Sequence, residues 1–345
     1  MISTVSSYSI SSTMSNMIAN LQKQLSLKQQ ELSSGVHANL SSTLGSQMSL
    51  DTSMHVNLDQ LDSIMATNDI VTSRLSITDA ALTKMSTDAK SMLSALVNAQ
   101  NGVVNPQSIV DQANSALGNL VSSLNTSDGS TYVFGGIAGD KPPITDYSAG
   151  SAAQKAFVST FTSAFGFAPS DPAAANITPT QIQSFLTGPA ADLFSDQNWT
   201  QNWSSASDPL QSRIGPSQTE ATSVTANEPT MAKLAAGYSI LSSLGLSSLS
   251  KSTFTAAVQS VTQTIQNGVS GLNQVQERVG VMTSDVTNAK QSMQAQHDLL
   301  STQIGALEGV DPAQASVEIT NLQTQLETAY SLTSQIHKLS LVNYL

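Results

Sequence analysis

The chain has 345 residues, of which 11% are charged, with a formal net charge of −11 and no cysteine. The excess of negative charge disfavours binding to nucleic-acid phosphates or to anionic membrane surfaces. The lack of cysteine excludes disulfides, thiolate catalysis and cysteine-ligated metal clusters.

The N-terminal residues 1–12 have neither a basic segment nor an apolar core, so they do not have the form of a Sec signal peptide. No apolar run along the chain approaches the roughly 18 residues of a membrane span. We therefore expect a protein that does not insert into a membrane. It either stays in the cytosol or leaves the cell without a cleaved signal.

Apolar residues at alternating steps of three and four predict long helices in the first hundred residues. The first series is interrupted at Lys28, which occupies an expected apolar position. It consists of Met14, Ile18, Leu21, Leu25 and Leu32. The second series includes two polar residues, which reflect either ordinary tolerance in a long bundle or specification of register. It consists of Leu61, Ile64, Asn68, Val71, Leu75, Thr78, Leu82, Met85, Ala89, Met92, Leu96 and Ala99.

The middle of the chain has a different pattern. A helix is predicted at about 107–124, because Asn105 can cap its first amides and Pro106 suits a first helical turn. Residues 131–136 follow an Asp-Gly turn and predict a short strand. Residues 140–235 lack heptads and contain both tryptophans, which predicts a small inserted α+β domain. Residues 237–250 are compatible with a helix or a linker.

Two further helices are predicted near the C-terminus. The first carries an apolar seam with polar Gln296 and Gln303, and it ends at a break around Gly309. The second begins at Asp311-Pro312, where Gln314 is spaced for a capping box. The seam of the first consists of Leu272, Val275, Val279, Met282, Val286, Ala289, Met293, Gln296, Leu300, Gln303 and Leu307. The stripe of the second consists of Ala315, Ile319, Leu322, Leu326, Ala329, Thr333 and Ile336.

Each apolar stripe needs a partner, since an isolated amphipathic helix would leave it in water. The expected fold class is therefore mainly α, with a long coiled-coil-like helical rod built from the N- and C-terminal arms and a small inserted α+β or β domain. Residues 1–40 and 308–345 are expected to form terminal axial helices. Residues 41–139 and 236–307 would form the rod with a short β-hairpin, and residues 140–235 an outer inserted domain.

No constellation of residues predicts catalysis. The four histidines, His37, His55, His297 and His337, are scattered without ligand spacing and predict no metal site. Nucleophile elbows and phosphate-binding glycine loops are missing from the sequence. Trp199 and Trp203 are four residues apart, a spacing compatible with a sugar-stacking platform, although a small-domain core is the favoured interpretation. We predict no enzyme, no catalytic residues and no cofactor.

Several segments, taken in order, resemble flagellins and flagellar hook-associated proteins. Residues 31–39, ELSSGVHAN, resemble the family's RLSSGxxIN segment, and residues 310–315, VDPAQA, resemble the aspartate-rich turn before its last helix. Residues 340–345, SLVNYL, resemble its SLxxYL ending. Parts of 68–82 and the segment 98–102 add further matches, so the resemblance covers about 1–135 and 265–345. Within the family, residues 132–143 and the ending resemble proteins of the hook–filament junction more than flagellin.

This resemblance implies a non-enzymatic structural subunit that is exported unfolded by the flagellar type III apparatus and acts outside the cell at the hook–filament junction. The implied partners are hook-associated protein 1, flagellin, other copies of the chain in a ring-like homo-oligomer, and a flagellar export chaperone. A flagellin filament subunit and a non-flagellar coiled-coil binding or adhesin protein are the alternatives. The terminal helices would form the assembly interface through Met14, Ile18, Leu21, Leu25, Leu32, Leu322, Leu326, Ile336, Leu339, Leu341 and Leu345.

Overall fold

The computed structural model describes residues 7–102, 105–148 and 150–342, with side chains described except at 7–8 and 337–342. The described chain is mostly helical, with one small antiparallel sheet. Its long helices are α1 (Ser7–Ser34), α3 (Met48–Gln100), α4 (Pro106–Leu124), α10 (Lys251–Glu308) and α11 (Pro312–Val342). Shorter elements are α2 (Leu40–Leu44), α5 (Ala152–Phe165), α6 (Pro179–Thr187), α7 (Pro189–Asp192), α8 (Asp196–Asn202), β1 (Gln211–Gly215), β2 (Gln218–Ala221) and α9 (Pro229–Ser243). The predicted fold class is confirmed: mainly α, with long helices from both ends and a small sheet between them.

The described residues fall into two compact units. The terminal unit contains the residues up to 63 and those from 293 onward, and the central unit contains residues 64–292. The predicted three-part division into axial, rod and outer segments concerns the assembled protein, and it stays a prediction.

The heptad series of α3 is buried along its whole length, as the sequence predicts. Each of its members from Leu61 to Ala99 is buried, including Asn68 and Thr78. Within the central unit, α3 and α10 are antiparallel, because Gln276 Nε2 donates to Thr83 Oγ1 at 3.1 Å and Gln100 Nε2 donates to Thr262 Oγ1 at 3.4 Å. Burial of both stripes supplies the main stabilising free energy of this pairing.

The segment 140–235 shares the hydrophobic core of the central unit. That core runs from Val71 of α3 through Trp199 and Met231 to Val286 of α10. Pro106 begins α4 under the Asn105 cap, as predicted, since the Asn105 side chain accepts from the Gln107 N–H. For residues 237–250 the sequence allowed either a helix or a linker. The first part of this segment is helical, because it belongs to α9, which ends at Ser243.

The predicted strand at 131–136 is wrong. Tyr132 makes a single bridge to Ser127, and its N–H bonds the Gly139 carbonyl. Gly136 then turns the chain with φ of +66°, where a β-carbon would meet the Asp208 carbonyl oxygen at 2.4 Å. This left-handed conformation, which glycine adopts without strain, ends any extended run. The hairpin in the described residues is instead β1–β2, which lies inside the segment 140–235.

The seam of α10 in the terminal unit also differs from its prediction. Gln296 and Gln303 are exposed, so their placement on the seam is wrong. Met293 and Ile304 are buried and His297 is half-buried. The stripe therefore steps from Met293 by four rather than by three, which turns both glutamines to the surface.

Asp311 caps α11 as predicted, but the capping box is only half formed. Asp311 Oδ1 accepts from the N–H of Ala313 at 2.8 Å and from that of Gln314 at 3.4 Å. The Gln314 side chain donates to Glu318 at 3.2 Å instead of returning to the cap. The start of this helix is thus fixed by one carboxylate at its positive end.

Candidate assembly interface

The two terminal helices, α1 and α11, pack antiparallel against each other. Gln22 Nε2 donates to the Tyr330 hydroxyl at 2.8 Å, and Lys28 Nζ lies 2.9 Å from Glu318 Oε2. Small side chains permit the close approach, since Ala315 and Ala329 are almost fully buried. The first and the last described helices of the chain therefore form an antiparallel pair.

This pairing covers the predicted interface residues only in part. Leu21 is buried, whereas Leu32 remains 39% exposed. The side chains of Leu339 and Leu341 and the whole of Leu345 lie outside the described residues. The half-buried members of the predicted set are Met14, Ile18, Leu25, Leu322, Leu326 and Ile336.

Further large apolar side chains of the same two helices face solvent. A helix pair can bury one stripe of each member, so apolar residues on the other faces stay uncovered. They occur on both helices and lie outside the predicted set. They are Ile10, Met17, Leu27, Val317, Tyr330 and Leu332.

Lys28 accounts for the interruption in the apolar series of α1. Its Nζ lies 2.9 Å from Glu31 Oε2 as well as from Glu318. Hydrogen bonds to Glu318 and then Glu31 raise the pKa of Lys28. Burial disfavours the ionised form of Glu31, but hydrogen bonds from Lys28 and the Ala38 N–H outweigh it and lower the pKa of Glu31. The series breaks here because the position carries an ionic link between α1 and α11.

The segment after α1 is attached to the turn between α10 and α11. Val36 pairs with Gly309 in an antiparallel bridge. The His37 N–H donates to the Glu308 carbonyl at 2.9 Å, and the Val310 N–H donates to the Gly35 carbonyl at 3.0 Å. Two of the segments that resemble the family's motifs thus meet, a contact that neither motif predicts by itself.

One cluster of titratable groups in the terminal unit could hold a metal ion. Asp51, His55 and Glu308 each offer a ligand atom, and these atoms lie within 4.8 Å of one another. Sequence reasoning missed the cluster because Asp51 and His55 belong to α3, whereas Glu308 ends α10. The Asp51/His55 spacing of one helical turn is the only local signal, and it is common on helices.

The tryptophan pair is part of the core. Trp199 and Trp203 are buried and stack on each other with ring centroids 5.4 Å apart. Trp203 also stacks on Tyr147 at 5.2 Å, and the Trp199 indole N–H donates to the Ala226 carbonyl at 3.0 Å. No ring face is left open for a sugar, so the favoured interpretation of these residues as core is confirmed.

Comparison with protein families matches both ends of the chain. Residues 5–138 match the bacterial flagellin N-terminal helical region, and residues 258–345 match the bacterial flagellin C-terminal helical region. A search of curated proteins gives no match. The chain belongs to the flagellin superfamily, whose members are structural components of the extracellular flagellum and self-assemble into its polymer. Among the described residues, no helix combines the length and apolar character needed to cross a bilayer.

Proposed function

We propose that the chain is hook-associated protein 3, the subunit that joins hook to filament in the bacterial flagellum. Two sequence features support this choice within the superfamily. Residues 132–143, YVFGGIAGDKPP, resemble the corresponding segment of junction proteins, although Ile144 replaces the phenylalanine that is usual there. The SLVNYL ending is also the form found in junction proteins, whereas flagellins more often end in a Leu-Leu pair.

Assembly through the terminal helices is the second part of the proposal. The observation that carries it is the incomplete cover of α1 and α11, whose apolar faces remain open on both helices. Copies of the chain would bury these faces against each other in a ring-like layer. In that layer, residues 1–40 and 308–345 form the axial core, residues 41–139 and 236–307 the rod, and residues 140–235 the outer surface.

The proposed position defines the partners. Hook-associated protein 1 lies on the hook side and flagellin on the filament side, and a flagellar export chaperone is a further partner before secretion. The protein has no catalytic role in this proposal. The superfamily match argues against the alternative of a non-flagellar coiled-coil adhesin.

Deletion of the gene in the source organism tests the junction role. We expect cells with intact hooks, no filaments, and flagellin released into the medium, and we expect the intact gene to restore filaments. Mutant cells that still grow filaments would refute the proposal.

A flagellin filament subunit is the competing function, because the family regions that match at both ends are shared by filament and junction subunits. Quantitative mass spectrometry of purified flagella separates the two. A junction protein is present at a few copies for each flagellum, whereas a filament subunit is present at thousands.

A further inference from the structure

The cluster of Asp51, His55 and Glu308 joins the beginning of α3 to the end of α10. Asp51 and His55 lie one turn apart on the same face of α3. Glu308 is the last residue of α10, and its backbone is fixed by the His37 N–H. The three side chains thus converge from two chain segments in the terminal unit.

The hydrogen bond of His55 leaves a lone pair pointing toward Glu308. His55 Nδ1 lies 3.1 Å from the Asp51 backbone carbonyl, which can only accept, so this bond places the proton of the neutral ring on Nδ1. The unprotonated Nε2 then lies 3.7 Å from Glu308 Oε1. Histidines that bind metals usually donate their other ring N–H to a carbonyl or a carboxylate, as Nδ1 does here to the Asp51 carbonyl.

The distance of 3.7 Å between His55 Nε2 and Glu308 Oε1 can be compared with a direct hydrogen bond and with two ligands of one ion. A direct N–H···O bond would measure about 2.7–3.2 Å. Two ligands held at about 2.0–2.1 Å from one tetrahedral ion are separated by roughly 3.3 Å. The observed distance of 3.7 Å is longer than a direct hydrogen bond and is closer to the distance between two ligands of one ion.

Asp51 supplies an independent observation. Its residue surface is 3% exposed, and its Oδ1 has no hydrogen-bond partner. Among the described residues, neither lysine nor arginine forms an ion pair with it; its ionic neighbour is His55, with Nδ1 3.8 Å from Oδ2. A buried carboxylate requires a compensating charge, and a cation among these three side chains would provide it.

We propose that Asp51, His55 and Glu308 bind a divalent transition-metal ion, with Zn²⁺ as the fitting species. Imidazole and carboxylate oxygen are ordinary zinc ligands, and three protein ligands leave a fourth position for water. The half-exposed His55 ring gives the ion access from solvent. The bound metal ion would link the beginning of α3 to the end of α10. This site is independent of the proposed function and does not rest on it.

Calorimetric titration of Zn²⁺ into the metal-free full-length chain, at about pH 7.5 where free histidine is neutral, tests the site. We expect about one ion bound for each chain and a higher melting temperature in its presence. His55→Gln and Glu308→Gln should each weaken binding at least about tenfold. His297→Gln is the matched control, because His297 also lies between two carboxylates, Asp62 and Asp298, and it should bind as the wild type does.

Circular dichroism and NMR distinguish loss of metal binding from loss of folding. Circular dichroism checks that the variants keep wild-type helicity. If either variant unfolds, NMR of the wild-type imidazoles replaces it, and Zn²⁺ should then shift one histidine, with its Nε2 as the ligating atom. Absence of saturable binding, equal loss in His297→Gln, or stabilisation by acid but not by Zn²⁺ would overturn the proposal.

Discussion

Two polar residues of the buried α3 seam have different roles, although the sequence makes them equivalent. Thr78 Oγ1 donates to the Arg74 carbonyl of its own helix at 2.9 Å. Asn68 Nδ2 donates to the Ile214 carbonyl of β1 at 2.9 Å. Periodicity predicted that both would be buried, but it could not predict the Asn68 partner, because that partner is distant in sequence. Asn68 therefore links α3 to the hairpin rather than to another helix of the seam.

Asn68→Asp should therefore destabilise the chain strongly. The new carboxylate would be fully buried, would lose the amide donor and would face the Ile214 carbonyl. We expect a loss of about 3 kcal/mol or more at neutral pH. Burial would raise the pKa of this carboxyl in the folded state, so the loss should shrink as the pH falls toward the unfolded pKa of about 4.

Urea denaturation between neutral and acidic pH measures this effect. Thr78→Val is the control, because its hydroxyl bonds only to a carbonyl of its own helix. It should cost about 1 kcal/mol at most and show no added pH dependence. Equal losses for both variants would contradict the assigned role of Asn68.

Asp128 is a second residue whose charge makes the stability of the fold depend on pH. Burial disfavours its ionised form, but the N–H groups of Thr131 and Ser130 and the nearby Arg74 guanidinium outweigh burial and hold the pKa of Asp128 well below its usual range. A depressed folded pKa stabilises the fold above the unfolded value of about 4, and this stabilisation is lost as the pH falls toward the folded pKa.

Asp128→Asn should thus lower the free energy of unfolding by about 1–3 kcal/mol at pH 7. The difference from wild type should narrow steadily below about pH 4, which urea titrations at several pH values would reveal. Asp140→Asn, at an exposed site near the same turn, should change stability by less than about 0.5 kcal/mol. A difference for Asp128→Asn that does not vary with pH would contradict the charge-based explanation.

At the scale of elements, α9 is held closely against α10 by glycines. A β-carbon on Gly237 would meet Ile265 Cγ1 at 2.5 Å, and one on Gly268 would meet Leu234 Cδ2 at 2.7 Å. Thr230 Oγ1 donates to the Gly268 carbonyl at 2.5 Å. The sequence left 237–250 undecided because α9 is buried nearly all round, so it shows no one-sided stripe.

Gly268→Ala should therefore destabilise the central unit by about 1–3 kcal/mol, since Leu234 has to move. Gly280→Ala is a matched control in the same helix, where an added β-carbon meets nothing within 4 Å. It should instead stabilise the chain by about 0.5–1 kcal/mol through helix propensity. Thermal unfolding followed by circular dichroism distinguishes them, and stabilisation by both would show that the glycine contact is not tight.

The elements that the sequence predicted well depend on local information. The α3 seam, the Asn105-Pro106 start and the Asp311 cap each follow from residues a few positions apart. The predictions that were wrong depend on contacts between residues distant in sequence, or on a shift of one residue in the apolar repeat. Residues 131–136 do not form a strand, because the chain turns at Gly136, which packs against the Asp208 carbonyl. After Met293 the next seam residue is four positions along rather than three, so Gln296 is exposed. The metal-ligand cluster likewise needs Glu308 to reach α3.

At the scale of the whole molecule, the two units bury their apolar residues to different degrees. The central unit has one extensive core, whereas α1 and α11 keep half-buried and exposed apolar residues along their length. Hydrogen exchange on the dilute chain should therefore be faster in α1 and α11 than in the seam of α3 at 71–99. Assembly should slow exchange in α1 and α11 most, and uniform protection in the dilute chain would contradict an interface completed by neighbours.

Val317 and Val281 provide a matched pair for testing that interface in the cell. Both are valines on helices and both are 60% exposed, but Val317 belongs to α11 and Val281 to the part of α10 in the central unit. Glutamate at either site should leave the helicity and melting temperature of the isolated chain nearly unchanged, because exposed substitutions cost little. If copies pack on the terminal helices, a buried, unpaired carboxylate at 317 opposes assembly. In a deletion strain, Val281→Glu should restore filaments and Val317→Glu should reduce their number at least about tenfold; equal restoration by both would exclude this face of α11 from the interface.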